Sequence, residues 1–109
     1  MAPSITSITA EFNQDEAVIG LKVCTNDFEV NVRLRADELP TVRRVASTSW
    51  LDGALKIGRS ADAPVYWSAH DDTLTLSIGH DDQIWDIAVS LPASALPAII
   101  SEIEHSLVG

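Results

Sequence analysis

Apolar and polar residues alternate along most of this chain, and twice the alternation gives way to a helical spacing. In residues 83–103, QIWDIAVSLPASALPAIISEI, Trp85, Ile87, Val89 and Leu91 alternate with Asp86, Ala88, Ser90 and Pro92. Side chains on a strand point to two faces in turn, so the first set is predicted to face a core. After Pro92 the period changes: Leu96, Ile99, Ile100, Ile103 and Leu107 form one stripe of a helix. Ser94 is placed to cap that helix, and Pro97 falls in its first turn, where a missing N–H costs little. His105 suits the negative end of the helix dipole, and Gly109 can follow the last turn.

Residues 26–45, NDFEVNVRLRADELPTVRRV, have the same layout 57 positions earlier. Phe28, Val30, Val32 and Leu34 match Trp85, Ile87, Val89 and Leu91. Asp37 matches Ser94 as a cap, Leu39-Pro40 matches Leu96-Pro97, and Val42 matches Ile99. At the same offset Ala17, Ile19 and Leu21 match Leu74, Leu76 and Ile78, with Ile8 and Ala10 against Val65 and Trp67 more weakly. The pattern predicts two strand-strand-strand-helix units. They occupy about residues 4–47 and 62–107, with an irregular join over 48–61, all in one domain.

In chain order, strands are expected over residues 4–12, 17–24, 28–34, 64–69, 73–79 and 83–91. A short helix should run from Asp37 to about residue 47, and residues 54–57 are a candidate extra strand. Asn13 to Glu16 and Thr25-Asn26-Asp27 read as turns, because Asn and Asp bond their own backbone. The expected architecture is α+β: an antiparallel sheet of six or seven strands from two βββα repeats, with two helices packed on one face. The other face carries Glu29, Asn31, Arg33, Asp86, Ala88 and Ser90 and is expected to meet solvent or a partner.

Composition narrows the function classes. A chain of 109 residues with 46% hydrophobic content can bury a core without disulfides or a metal. No apolar run reaches the ~20 residues needed to span a bilayer, and residues 1–12 lack the form of a signal peptide. A single cysteine, Cys24, fits a reducing compartment, so a cytoplasmic location is expected. Sixteen acids against seven bases give a net charge of −9, which disfavours nucleic acid and anionic membrane as partners and favours solubility or a basic protein partner. The charge is uneven: residues 1–54 carry eight acids and five bases, and residues 55–109 carry eight acids and two bases.

The chemistry-bearing residues are sparse. His70-Asp71-Asp72 and His80-Asp81-Asp82 hold the residue types of a metal site or acid–base pair. They flank one strand, however, which sets them ~23 Å apart at ~3.3 Å per residue, too far to share an ion. They read as turns. No nucleophile motif, zinc motif or phosphate-binding glycine loop is present, so no catalytic, metal or cofactor site is expected. Arg33, Arg35, Arg43 and Arg44 form the one basic cluster and read as a solvated face paired with Glu29 and Asp37. Trp67 and Trp85 have core parity; Trp50, in the join, reads first as a plug at the end of the core, and Tyr66, with Trp50 as the alternative reading, is the candidate for aromatic contact with a partner.

These features predict a non-enzymatic, acidic protein-binding module engaging a basic partner. An immunity protein that neutralises a toxin, or a secretion-chaperone-like adaptor, in a bacterial cytoplasm would suit this size and charge. Asp71, Asp72, Asp81 and Asp82 would steer the partner, with Tyr66 or Trp50 as anchor. The alternative is a structural homo-oligomer, such as a homodimer paired through an edge strand. A hydrolase or metal enzyme using His70 or His80 ranks below both.

Overall fold

In a computed structural model, the structure describes residues 5–47, 54–79 and 85–108, with the backbone alone for residues 85 and 86. Seven strands form one antiparallel sheet: β1 (Ile5–Asn13), β2 (Val18–Thr25), β3 (Glu29–Arg35), β4 (Leu55–Ser60), β5 (Ala63–His70), β6 (Thr73–Gly79) and β7 (Trp85–Pro92). They lie in the order of the chain. Helix α1 (Leu39–Arg44) is flanked by 3-10 turns at Ala36–Glu38 and Val45–Ser47; α2 (Ala95–Val108) closes the described chain. The fold is α+β, as the alternation implies, and the candidate extra strand is β4.

Short turns set this order. Asn13 Oδ1 accepts from the N–H groups of Asp15 (3.0 Å) and Glu16 (3.2 Å), and Ala17 then takes a φ of 55° to re-enter the sheet. Thr25 Oγ1 accepts from the N–H groups of Asp27 and Phe28, each at 3.1 Å, and tightens the next turn. Between β4 and β5, Ala61 and Asp62 are both left-handed (φ 49° and 70°), as a type I′ hairpin demands.

The inner parity of β2, β3, β5 and β6 fills the core. Ile19, Leu21, Val23, Val32, Leu34, Val65, Trp67, Leu74 and Leu76 are buried there with Val42, Leu96, Ile99 and Ile103 from the helices. Full burial of such a side chain is worth about 1.5–3 kcal/mol. Trp67 satisfies its only donor, because its Nε1–H donates to the Ile57 carbonyl at 3.0 Å.

Helix α2 leaves β7 through a two-residue turn but packs on β1 and β2, at the far end of the sheet. Helix α1 packs against α2 and β4.

The order strand-strand-strand-helix recurs, but its settings differ, and a duplication is not established. Strand β3 lies between two neighbours, whereas β7 pairs only with β6 among the described residues. Val30 is buried, yet its counterpart Ile87 is 56% exposed. The alternation predicts a core position for Ile87; it has the right parity, but α2 packs on β1 and β2, and Ile87 is left 56% exposed while Leu91 on the same strand is buried. Asp37 does not cap α1. Its carboxylate meets Arg35 Nε at 3.0 Å, and Glu38 takes the cap position without a side-chain cap bond of its own.

Candidate functional site

The two halves of the sheet, β1–β3 and β4–β7, meet at a seam. Only one residue pair, Arg33 with Arg59, is in register between β3 and β4. Strand β4 carries a register shift between Lys56 and Arg59, and Gly58 within it has a φ of +71°. A β-carbon at Gly58 would sit 2.7 Å from the Arg33 carbonyl oxygen, so only glycine lets the strands approach here. Where the ladder stops, Glu38 replaces it. Its carboxylate accepts from the N–H of Arg35 on β3 (2.9 Å) and from the N–H of Gly58 on β4 (3.0 Å).

On the outer surface the seam opens into a groove of about 670 Å³, lined by Arg33, Arg35, Glu38, Lys56, Arg59 and Asp62 among others. Four of the seven basic residues of the chain therefore share one depression. The basic cluster expected from the sequence is divided: Arg33 and Arg35 join Lys56 and Arg59, while Arg43 pairs with Glu104 of α2. Arg33 pairs with Glu16 at 2.6 Å rather than with Glu29, whose carboxylate accepts instead from Asn31 Nδ2 at 2.9 Å. That bond first, then the charge of Lys22 and the Cys24 thiol, hold the Glu29 carboxyl below its ordinary value of 4.5. The groove escapes a linear reading because Arg33 and Arg59 lie 26 positions apart and only the strand register brings them together.

Asp71 and Asp72 form the exposed turn between β5 and β6, where Asp71 has a φ of 53°. Asp71 Oδ2 lies 3.2 Å from His70 Nε2. The Asp72 carbonyl accepts from the Ala93 N–H at 2.7 Å, which ties this turn to the start of α2. Tyr66, expected to be exposed, is half-buried on the outer face between Lys56 and Ser77. Cross-strand neighbours on both sides cover its flanks. Trp50, His80, Asp81 and Asp82, and the side chain of Trp85, lie outside the described residues. Among the described residues no group of three or more His, Cys, Asp or Glu side chains is placed to hold a metal ion, and no helix is long and apolar enough to cross a membrane.

The one apolar feature of the described surface tied to a sheet edge is Ile87, beside half-buried Ile78 and Val89. It stands on β7, which like β1 has one described neighbour in the sheet. Comparison of the chain with protein-family models, with curated proteins and with solved structures finds no match.

Proposed function

We propose that this protein is a small binding module for a basic protein partner, in the manner of an immunity protein or a secretion-chaperone-like adaptor, and that it works in the cytoplasm without catalysing a reaction. The observation that supports this reading most is Ile87, 56% exposed on edge strand β7 of a protein with net charge −9. An extended segment of a partner would add a strand to β7, drawing affinity from main-chain hydrogen bonds and seating an apolar side chain on Ile87. The surplus of carboxylates, including Asp71, Asp72, Asp81 and Asp82, would accelerate encounter with a cationic surface. Trp50 stays in the proposal as an anchor. Tyr66, being half-buried, offers a smaller contact.

The test begins with the immobilised protein and a lysate of its source cell. A captured protein counts only if it is basic, and its association rate is then measured at about 50 and 500 mM salt, a range over which exposed charges become screened. The rate should fall steeply with salt and again in a variant with all four aspartates changed to asparagine. A rate indifferent to both changes removes the proposal.

A second reading rests on the two ends of the sheet. Strands β1 and β7 each have one described neighbour, so either could pair with its symmetry mate in a homodimer. Sedimentation velocity decides: a monomer at every concentration excludes it.

A further inference from the structure

We infer that the groove over the β3–β4 seam is a binding site for a phosphate monoester carried on a small organic molecule. It lies on the outer face of the sheet, three strands from β7, and is independent of the partner surface proposed above.

The starting point is a pair of like charges placed opposite one another across the seam. Arg33 and Arg59 are directly opposed, which sets their β-carbons ~5 Å apart on one face. Both side chains are exposed, and like charges so placed repel. Neither is fully neutralised. The Arg33–Glu16 pair is 68% and 54% exposed, so it is weak and readily exchanged. Arg59 Nη2 donates to the Asp62 carbonyl oxygen at 2.5 Å, and no described carboxylate pairs with it. Lys56 lines the same groove, again with no described carboxylate partner. An anion between these three cations would turn the repulsion into attraction.

The shape of the cluster selects the anion. A carboxylate has two oxygens and suits one guanidinium fork, whereas a phosphate monoester has three and can be met by two guanidinium groups and an ammonium at once. A volume of about 670 Å³ exceeds what phosphate alone would fill and falls within the range of small-molecule sites. Val18, Leu34 and Ala61 add apolar wall for the organic part. Nucleic acid is the poorer occupant, because the lining contains no aromatic side chain on which bases could stack and the protein carries −9. Glu38 lies 4.0 Å from Arg35 Nε, outside the Arg33, Lys56 and Arg59 trio, and its two oxygens accept from the backbone N–H groups of Arg35 and Gly58.

Phenyl phosphate is the probe, followed by amide NMR at about pH 7.5, where a phosphate monoester is a dianion. Saturable shifts are expected at Arg33, Gly58 and Arg59, with half-saturation on the order of 1 mM. Lys56→Gln and Arg59→Gln should each weaken binding at least about fivefold, by removing one charge-assisted donor. Glu16→Gln should strengthen it roughly threefold, by releasing Arg33. Phenylacetate, at matched ionic strength, should bind at least about tenfold more weakly. Arg59 also holds a turn, so each spectrum is checked for retained dispersion; the Lys56 side chain makes no described hydrogen bond or ion pair, and its variant keeps the backbone pairing with Tyr66. The inference is overturned by shifts spread equally over Lys22 and Arg43, by a Lys56→Gln variant that binds as well as the parent, or by phenylacetate binding as tightly as phenyl phosphate.

Discussion

The carboxylate of Glu38 accepts a 3.0 Å hydrogen bond from the backbone N–H of Gly58, 20 residues on, across the line where the two halves of the sheet meet. The same carboxylate holds the Arg35 N–H at 2.9 Å. One side chain thus supplies the acceptors that a strand ladder would have offered to β3 and β4.

Removing that side chain leaves two N–H groups without their partner, in a region where Gly58 is buried and the Glu38 side chain is only 19% exposed. Glu38→Ala should cost about 2–3 kcal/mol, and Glu38→Gln less, because one oxygen remains. Urea denaturation gives the cost. Faster hydrogen exchange at Gly58 and Arg35, ahead of the core strands, would localise it. An unchanged exchange pattern would show that the seam is held by something else.

Gly58→Ala should be worse. It combines a φ of +71° with contacts of 2.7 Å to the Arg33 carbonyl oxygen and 2.8 Å to Val32 Cγ1. Left-handed strain and overpacking together imply a loss of about 3 kcal/mol or more. A melting temperature within a degree or two of the parent would contradict the geometry of the bulge.

The hairpin between β4 and β5 can be improved. Ala61 and Asp62 hold φ values of 49° and 70°, for which Asn-Gly is the preferred pair. Combining Ala61→Asn with Asp62→Gly should stabilise the protein by about 1 kcal/mol, by relieving left-handed strain at the two positions. The Asp62 carbonyl that receives Arg59 is retained. A destabilised double variant would argue against the turn.

Ile87 and Leu91 share one strand parity and should differ sharply on substitution. Ile87, 56% exposed, should tolerate Ser within about 0.5 kcal/mol, whereas Leu91→Ala, at 0% exposure, should cost about 2–5 kcal/mol. Comparable losses at the two sites would place Ile87 in the core after all.

Glu29 provides a pH reading. Its folded value lies below the ordinary 4.5, chiefly through Asn31 and then Lys22. A lowered folded value means that the stabilisation is present above the unfolded value and is lost as pH falls through the folded one. In an NMR titration, Asn31→Ala should raise the Glu29 midpoint toward 4.5, with Lys22→Gln raising it less. A midpoint unmoved in Asn31→Ala would mean that the bond does not persist in solution.

Local alternation was enough to place the strands, both helices and the inward parity of Ile19, Leu21, Val32, Leu34, Trp67 and Leu76, all of which are buried. A strand's two faces, and a helix's one stripe, are properties of a few consecutive residues, and these segments carry the signal in full. Coverage and register are not local. Whether Ile87 is buried depends on where α2 lands, and α2 packs on β1 and β2 while Ile87 stays exposed. Whether Arg33 belongs with Arg43 or with Arg59 depends on how β4 meets β3, and a single registered pair, a bulge at Gly58 and the carboxylate of Glu38 decide it. Chain closure between distant segments sets both outcomes, and no window of neighbouring residues records it.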